Sequence, residues 1–183
     1  MAAQEEIEVR FVDEFTDEEI IELWRMYDES FREVNENNPC RQSFYEDEFR
    51  IALLDPEVKK LGAFVAGRMV AMAIWSRKLP LFPWISQDYY RVHHPKEYAA
   101  GEVTYIMALL ARPEDHRKGY GSACAEGTVM DILEHGGLAV MDMCEDNAWL
   151  PGVVRDQFQE FASVGLQLIT SQTYWEMRIT SKD

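Results

Sequence analysis

One segment of the chain, residues 108 to 122 (ALLARPEDHRKGYGS), constrains the fold more than any other. An apolar strand stops at Pro113, a basic loop follows, and a helix is predicted to begin near Gly119 and Gly121. Glycines at this spacing let the backbone turn without a Cβ clash and direct successive N–H groups outward. Because the positive end of the helix dipole adds to them, the segment predicts a loop that binds an anion.

Basic residues surround this predicted loop, although the chain as a whole is acidic. Its formal net charge is -15, yet Arg112, His116, Arg117 and Lys118 lie close together in the sequence. This local positive charge favours a phosphate-bearing ligand. Residues 1–60 carry 18 acidic and 7 basic side chains, a balance that repels nucleic acids, so we expect no DNA or RNA partner. The acidic surface either attracts a cationic acceptor or only keeps helix faces solvated.

The composition is that of an ordinary globular protein. With 183 residues, 47% of them hydrophobic, we expect one domain over residues 1–183. No apolar run approaches the roughly 18 residues of a membrane helix, and the N-terminus lacks the pattern of a signal peptide. Cys40, Cys124 and Cys144 form neither a close pair nor a zinc motif, so we expect no disulfide framework and no metal. These features predict a cytoplasmic protein without a membrane partner.

The loop segment resembles the acyl-CoA-binding motif of the GCN5-related N-acetyltransferases, which is written R/Q-x-x-G-x-G/A. His116-Arg117-Lys118-Gly119-Tyr120-Gly121 fills this frame. The departure is His116, where the family usually has Arg or Gln, and the neighbouring Arg117 is a candidate to supply the charge. The resemblance implies that acetyl-CoA, or a close acyl-CoA, is the cosubstrate and that residues 116–121 and Ser122 bind it.

Two further cofactor contacts follow from the same resemblance. In the family, a bulged or splayed strand before the loop leaves backbone N–H groups that bind the pantetheine arm and polarise the acetyl carbonyl. Leu109, Leu110 and Ala111 occupy the matching positions, although their side chains alone indicate only a core. Asn147 matches a family Asn that often contacts the CoA arm, and capping of a following helix is the alternative.

Two carboxylates are rival candidates for the general base that removes a proton from the acceptor amine. Glu102 opens the strand that leads to the loop, where several family members place a base, or it is a solvated strand end. Asp142 lies in an apolar strand, where some protein N-acetyltransferases of the family carry a carboxylate, or it is on the solvent side of that strand. Glu102 is the favoured candidate, because Asp142 can lie on the polar, solvent-facing side of its strand.

The proton donor of the family is missing from its usual place. Family members often have a Tyr about four residues before a Gly-Phe pair, and here Phe161 precedes Gly165-Leu166. Since Phe161 cannot protonate a leaving thiolate, Tyr120, Cys144, Ser163 and Tyr174 remain candidates. A CoA-binding sensor or regulatory module without catalysis is therefore a rival function. A further possibility is that Cys144 is a nucleophile that accepts the acyl group, and the alternative is that it is a buried structural thiol.

Residues 79 to 94 form a segment rich in aromatic residues that precedes Glu102. Such a segment in a compact domain is typical of a lid or a binding surface, and here it would wall the acceptor site. A homodimer contact would explain the aromatic residues equally well. His93 and His94 are a base, ligands or plain surface residues. The acceptor is expected to be an amine, with a small molecule preferred and a peptide or protein N-terminus as the alternative.

The apolar periodicity predicts the element order β-α-α-β-β-β-α-β-α-β-β. This alternation, with a hairpin at Gly67, predicts a mixed, mostly antiparallel α/β sheet of about seven strands flanked by four helices. It is also the order of elements in the acyl-CoA N-acyltransferase fold, so the resemblance covers nearly the whole chain. The later elements are predicted as a loop over 76–100, a strand at Leu138–Cys144, a helix around Arg155–Ser163, and strands at Leu166–Thr170 and Thr173–Thr180.

Overall fold

The structure is a computed structural model that describes residues 6–38, 42–158, 165 and 167–171. Within these residues, five strands form one sheet in the order β1-β2-β3-β4-β5. Neighbours among β1 to β4 are antiparallel, and β5 runs parallel to β4. The predicted mixed, mostly antiparallel sheet is therefore confirmed. The strands are β1 (Glu8–Phe11), β2 (Val58–Val65), β3 (Arg68–Ser76), β4 (Val103–Ala111) and β5 (Leu138–Val140).

The described part of the chain has six helices and five strands, which corrects the prediction of four helices and seven strands. The segment predicted as a loop contains two of the helices, which are too short to show a helical period. Residues 167–170, predicted to lie in a strand, have no regular secondary structure, and the predicted strand at 173–180 lies outside the described residues. The helices are α1 (Asp17–Asn37), α2 (Glu46–Leu54), α3 (Gln87–His93), α4 (Pro95–Ala100), α5 (Tyr120–Glu134) and α6 (Leu150–Phe158).

Helices cover both faces of the sheet. On one face, α1 and α2 bury Met26, Tyr27 and Phe49 against Ile74 of β3 and Leu110 of β4. The start of α1 is set locally, because the Thr16 side chain accepts from the Glu19 N–H while Glu19 accepts from the Thr16 N–H. Each large side chain buried in this way contributes about 1.5–3 kcal/mol to folding.

The opposite face of the sheet is covered by α5. Tyr120 and Cys124 pack there against Ala71, Ala73 and Trp75 of β3. The helix therefore holds the middle of the sheet, and its first residue follows the loop that comes after β4. No helix within the described residues is long and apolar enough to cross a bilayer.

The aromatic segment packs on the same face as α1 and α2, further along the sheet. Leu79, Phe82 and Tyr90 form a third buried cluster with Tyr105 of β4 and Val140 of β5. The Ser86 side chain accepts a hydrogen bond from the Tyr89 N–H and begins α3. The segment is thus anchored where β4 and β5 pair.

Strand β4 contains a bulge, and it separates from β5 at about the same level. Ala108 lies opposite Ile74 and Ile106 lies opposite Trp75, so Met107 is an extra residue. The ladder between β4 and β5 joins only residues 103–105 to residues 138–140. A bulge bends its strand and increases the local twist, which favours this separation. Strand β5 therefore ends at Val140, four residues earlier than predicted.

Candidate functional site

Beyond Tyr105 and Val140, a gap separates β4 from the chain that follows β5. We call this gap the cleft. The Arg112 N–H donates to the Val70 carbonyl of β3 at 3.0 Å. Because N–H directions alternate along a strand, the Leu110 amide also points to β3. The amides of Leu109 and Ala111 point to the opposite edge, which borders the cleft. Two of the three strand residues that the resemblance selects therefore present backbone donors there.

The loop after β4 has the backbone conformation of an anion-binding turn. A single 3-10 turn spans Pro113–Asp115. Arg117 and Gly119 then both have left-handed φ values, 67° and 86°. Left-handed φ is uncommon for a residue with a side chain, so Arg117 marks a local constraint. Turns that alternate in this way direct successive N–H groups into one concavity.

Helix α5 begins directly after this turn without a side-chain cap among the described residues. Its N-cap is Gly119, and its first turn contains no acidic residue. By contrast, α1 has a capping box and three acidic residues in its first turn. In the first turn of α5, the N–H groups of Gly121 and Ser122 have no acceptor within the helix, so they can bind an external one.

The two loop glycines leave room for that acceptor. Among the described residues, a Cβ added at Gly119 would meet no atom within 4 Å, and one at Gly121 would meet only the Ala111 Cβ, at 4.0 Å. The loop therefore fits a pyrophosphate, with space over the helix end and N–H donors to hold it.

The structure corrects the prediction that four cations surround the loop. The Arg112 Nε donates to the Met69 carbonyl at 2.9 Å, and its Nη2 bonds the Glu22 carboxylate. Arg112 is only 7% exposed, because it packs under α1 and not toward the cleft. The Lys118 Nζ bonds Asp115 Oδ1 at 2.8 Å.

His116, Arg117 and Lys118 are the exposed basic residues of the loop, and Lys118 is paired with Asp115. The His116 Nε2 lies 3.3 Å from the Ala111 carbonyl oxygen. This carbonyl is on the cleft edge of β4, so the imidazole lies beside the end of that edge. The departure from the family motif at His116 therefore places a ring where the strand meets the loop.

Ser30 is a contact that sequence reasoning missed. Its Oγ lies 2.9 Å from the Ala111 carbonyl and 2.6 Å from the Met26 carbonyl of its own helix. The hydroxyl ties α1 to the last residue of β4, on the edge that borders the cleft. A serine inside a helical period carries no signal for such a contact, because its partner is 81 positions away.

A hydrogen-bonded chain of three side chains lies where the cleft begins. The Trp84 Nε1–H donates to the Tyr105 hydroxyl at 3.0 Å, and the Tyr105 hydroxyl donates to Asp142 Oδ1. The Tyr105 side chain is buried, with its ring centroid 4.6 Å from that of Phe82, whereas Asp142 is exposed. Sequence reasoning selected Asp142 but not Trp84 or Tyr105.

Glu102 lies at the other end of β4. A Cβ built on Gly136, in the turn between α5 and β5, would lie 2.5–2.7 Å from three side-chain atoms of Glu102. The Glu102 N–H donates to the Glu97 carbonyl at 2.8 Å, at the end of α4. Since three residues of a strand span about 10 Å, Glu102 is separated from the start of the cleft. The structure thus brings Asp142, and not Glu102, to that start.

Asn147 lies in a 3-10 turn, Glu145–Asn147, five residues after Asp142. It is half-buried, and its N–H donates to the Cys144 carbonyl at 3.0 Å. The alternative that Asn147 caps the next helix is wrong, because α6 begins only at Leu150. Contact with the CoA arm stays a prediction.

The remaining candidate donors and ligands are resolved only in part. Phe161, Ser163 and Tyr174 lie outside the described residues. Cys124 is fully buried, and burial raises the pKa of its thiol to about 12. Cys144 is half-buried. Within the described residues, no group of His, Cys, Asp and Glu is arranged to hold a metal ion.

Comparison with known proteins gives similarity in structure only. No family model matches the sequence, and no curated protein matches it. The ribosomal-protein-S18-alanine N-acetyltransferase of Escherichia coli matches with a TM-score of 0.54 at 10% identity, over 84% of this chain and 76% of that one. An aminoglycoside acetyltransferase from an uncultured soil metagenomic sample, solved with sisomicin, matches with a TM-score of 0.53 at 11% identity, over 93% and 97%.

A third similar structure contains coenzyme A. The PaiA N-acetyltransferase of Thermoplasma acidophilum, solved in complex with coenzyme A, matches with a TM-score of 0.52 at 14% identity. The match covers 83% of this chain and 88% of that one. At such identities the likeness shows the fold, which agrees with the resemblance found in the loop motif.

Proposed function

We propose that this chain, which has the fold of the GCN5-related N-acetyltransferases, transfers an acetyl group from acetyl-CoA to an amine. One observation carries the proposal: the cleft edge of β4 leads through a glycine turn to the start of α5, which has no side-chain cap among the described residues. The three similar structures that were compared include acetyltransferases for a ribosomal protein and for aminoglycosides, and one complex with coenzyme A. We propose a small-molecule acceptor, because the acidic chain favours a cationic ligand.

The residues that would hold acetyl-CoA fall into two groups. Residues 116–122 would surround the pyrophosphate, with the backbone N–H groups of Arg117, Gly119, Gly121 and Ser122 as its donors, since the N–H groups of His116 and Lys118 bond carbonyls of the same loop. The N–H groups of Leu109 and Ala111 face the pantetheine arm along the cleft, and Leu110 supports them by burying its side chain under α1. Asn147 is proposed as a side-chain contact to the same arm.

When bound, acetyl-CoA supplies a thioester, whose carbonyl carbon forms a bond to the acceptor nitrogen while its bond to sulfur breaks. An amine at neutral pH is mostly protonated and needs a base before it can attack. We propose Asp142 as this base, directly or through water, because it lies at the start of the cleft. Glu102 is the rival, and its position against Gly136 makes it the weaker candidate.

Binding of the cofactor is tested by thermal unfolding of the wild-type chain and of Gly121→Val. At about 100 times its dissociation constant, acetyl-CoA is expected to stabilise the wild type by about 2.7 kcal/mol. The valine side chain should abolish this shift, because it occupies the space over the helix end, while the nearest Cβ at 4.0 Å leaves room to fold. Ala99→Val, at an exposed position of α4, is the matched control. A wild-type melting curve unchanged by acetyl-CoA and by free CoA would sink the proposal.

The alternative function is a CoA-binding sensor without catalysis, which Phe161 at the expected proton-donor position favours. A panel of tyramine, putrescine, sisomicin and an alanine-initiated peptide separates the two functions. Thiol release above background hydrolysis with any of these amines supports catalysis. Stabilisation by acetyl-CoA without thiol release supports the sensor. A peptide that outperforms the small amines would support N-terminal protein acetylation.

A further inference from the structure

The direction of the hydrogen-bonded chain at the start of the cleft is determined by chemistry. An indole N–H can only donate, so the Tyr105 oxygen accepts from Trp84 at 3.0 Å. The Tyr105 proton is then directed to Asp142, which as a carboxylate can only accept. The chain therefore runs from Trp84 through Tyr105 to Asp142, and each member orients the next.

The surroundings hold this arrangement in place. Tyr105 is 3% exposed, and its ring packs at 4.6 Å from Phe82, which is itself 2% exposed. Trp84 packs edge to face on Tyr105, and its ring centroid lies 5.8 Å from that of Phe82. Trp84 nevertheless remains 42% exposed. No hydrogen bond to Asp142 Oδ2 is found among the described residues. The carboxylate is thus fixed through one oxygen, while the other can bind a ligand in the cleft.

We propose that Trp84, Tyr105 and Asp142 form the acceptor subsite, an inference that rests on the proposed function. Asp142 binds the acceptor ammonium through Oδ2. The exposed part of the Trp84 indole packs on the carbon atoms next to that ammonium, where it also attracts the cation. Tyr105 is a positioning residue that acts through Asp142. Carboxylate fixation by a buried neighbour is the relation expected between a base and its orienting group.

The subsite defines a class of acceptor. It combines one carboxylate with aromatic rings, which suits a monoamine that carries an aromatic or otherwise apolar skeleton. A polyamine or an aminoglycoside would instead need several carboxylates at matching distances. In the reaction, the ammonium gives one proton to Asp142, and the neutral nitrogen forms the amide bond while the C–S bond breaks and the thiolate leaves. The nitrogen loses its second proton to water. The thiolate is protonated from water, and Asp142 releases its proton to solvent, so one proton is released per turnover.

The test uses the full chain with tyramine as the acceptor at saturating acetyl-CoA. Tyr105→Phe removes one hydrogen bond to a charged group and should lower kcat/KM for tyramine by about 10-fold or more. Its KM for acetyl-CoA and its stabilisation by acetyl-CoA should not change. Trp84→Phe should lower kcat/KM less, and it should add little in the Tyr105→Phe background, because its N–H acts through that hydroxyl.

The matched control is Tyr98→Phe on the neighbouring helix α4, which loses a hydroxyl bonded to Gln87 of the aromatic segment at 3.2 Å. It should leave kcat/KM for tyramine unchanged. Unchanged kinetics of Tyr105→Phe, or fully additive effects of the Trp84 and Tyr105 changes, would overturn the inference. Acetylation of sisomicin or of the peptide, but not of tyramine, would also overturn it while leaving the proposed function intact. If no amine is acetylated although acetyl-CoA stabilises the chain, the transferase function itself fails.

Discussion

Asp131 is the residue whose loss should weaken the fold most measurably near the bulge of β4. It is 8% exposed on α5 and accepts hydrogen bonds from Trp75 Nε1 at 2.9 Å and from Arg77 Nη2 at 2.5 Å. Trp75 lies opposite Ile106, next to the bulge. The carboxylate therefore joins α5 to β3 at the level where β4 starts to separate from β5.

The ionised form of Asp131 is favoured in the folded state. Burial alone would raise the pKa of Asp131, but the hydrogen bonds from Arg77 and Trp75 and the charges of Arg77 and His135 hold it below its usual value. Removing one member of a buried ion pair costs about 3–5 kcal/mol. Asn keeps one acceptor, and the Arg77 side chain is 19% exposed. We therefore expect Asp131→Asn to lower the free energy of unfolding by about 3 kcal/mol.

Urea unfolding at neutral pH measures this loss, and Tm should fall by about 6–12 °C. Glu134→Gln, an exposed acidic residue on the same helix, is the control and should change stability by less than about 0.5 kcal/mol. Because the folded pKa of Asp131 is lowered, its contribution is complete above the unfolded pKa of about 3.9. This contribution is lost as pH falls through the lower folded pKa. The difference in free energy of unfolding between the wild type and Asp131→Asn should therefore shrink in acid. The expected role of Asp131 would be refuted if Asp131→Asn lost no more stability at neutral pH than Glu134→Gln. It would also be refuted if the difference in free energy of unfolding between the wild type and Asp131→Asn grew on acidification.

Three further outcomes are expected. Asp142→Asn should lower kcat/KM by about 100-fold at neutral pH, and this loss should shrink as the pH rises toward the pKa of the amine, whereas Glu102→Gln should have little effect. Thiol release measures both rates, and a larger loss in Glu102→Gln than in Asp142→Asn would identify Glu102 as the base. Since the pKa of the Cys124 thiol is about 12, peptide mass spectrometry should find it alkylated by iodoacetamide only after unfolding, and rapid labelling of the native chain would contradict its burial. In Gly127→Ala the new Cβ would lie 2.4 Å from Leu61 Cδ2, and overpacking of about 1–3 kcal/mol should exceed the about 1 kcal/mol that Ala gains over Gly in a helix. Urea unfolding should therefore show a net loss of up to about 2 kcal/mol, and a gain would contradict the close packing.

The features that the sequence predicted correctly depend on local conformation. The hairpin at Gly67 follows from left-handed φ values of 48° and 78° at Ala66 and Gly67, which glycine permits. The strand Val103–Ala111 and the helix after Gly119 follow from an apolar period interrupted by Pro and Gly. Such a turn is decided within a few residues, so the sequence alone can predict it.

The short helices α3 and α4 escaped sequence reasoning for a physical reason. Seven and six residues are too few to show a helical period, and isolated helices of that length are unstable in water. They form because Tyr90 and its neighbours pack on Tyr105 and Val140. A local pattern cannot show a contact that is made with another strand.

The positions of the two candidate bases relative to the cleft were likewise decided only by tertiary structure. The bulge at Met107 depends on how β3 and β4 align, and the separation of β5 decides which carboxylate borders the cleft. Asp142 receives its hydrogen bond from a residue 37 positions away, while Arg112, expected at the loop, turns to Glu22, 90 positions away. The sequence by itself predicted the glycine turn and the helix that follows it, because this conformation is decided by neighbouring residues. Which side chains bond each other was decided only by the tertiary structure, because these partners lie in segments that are far apart in the sequence.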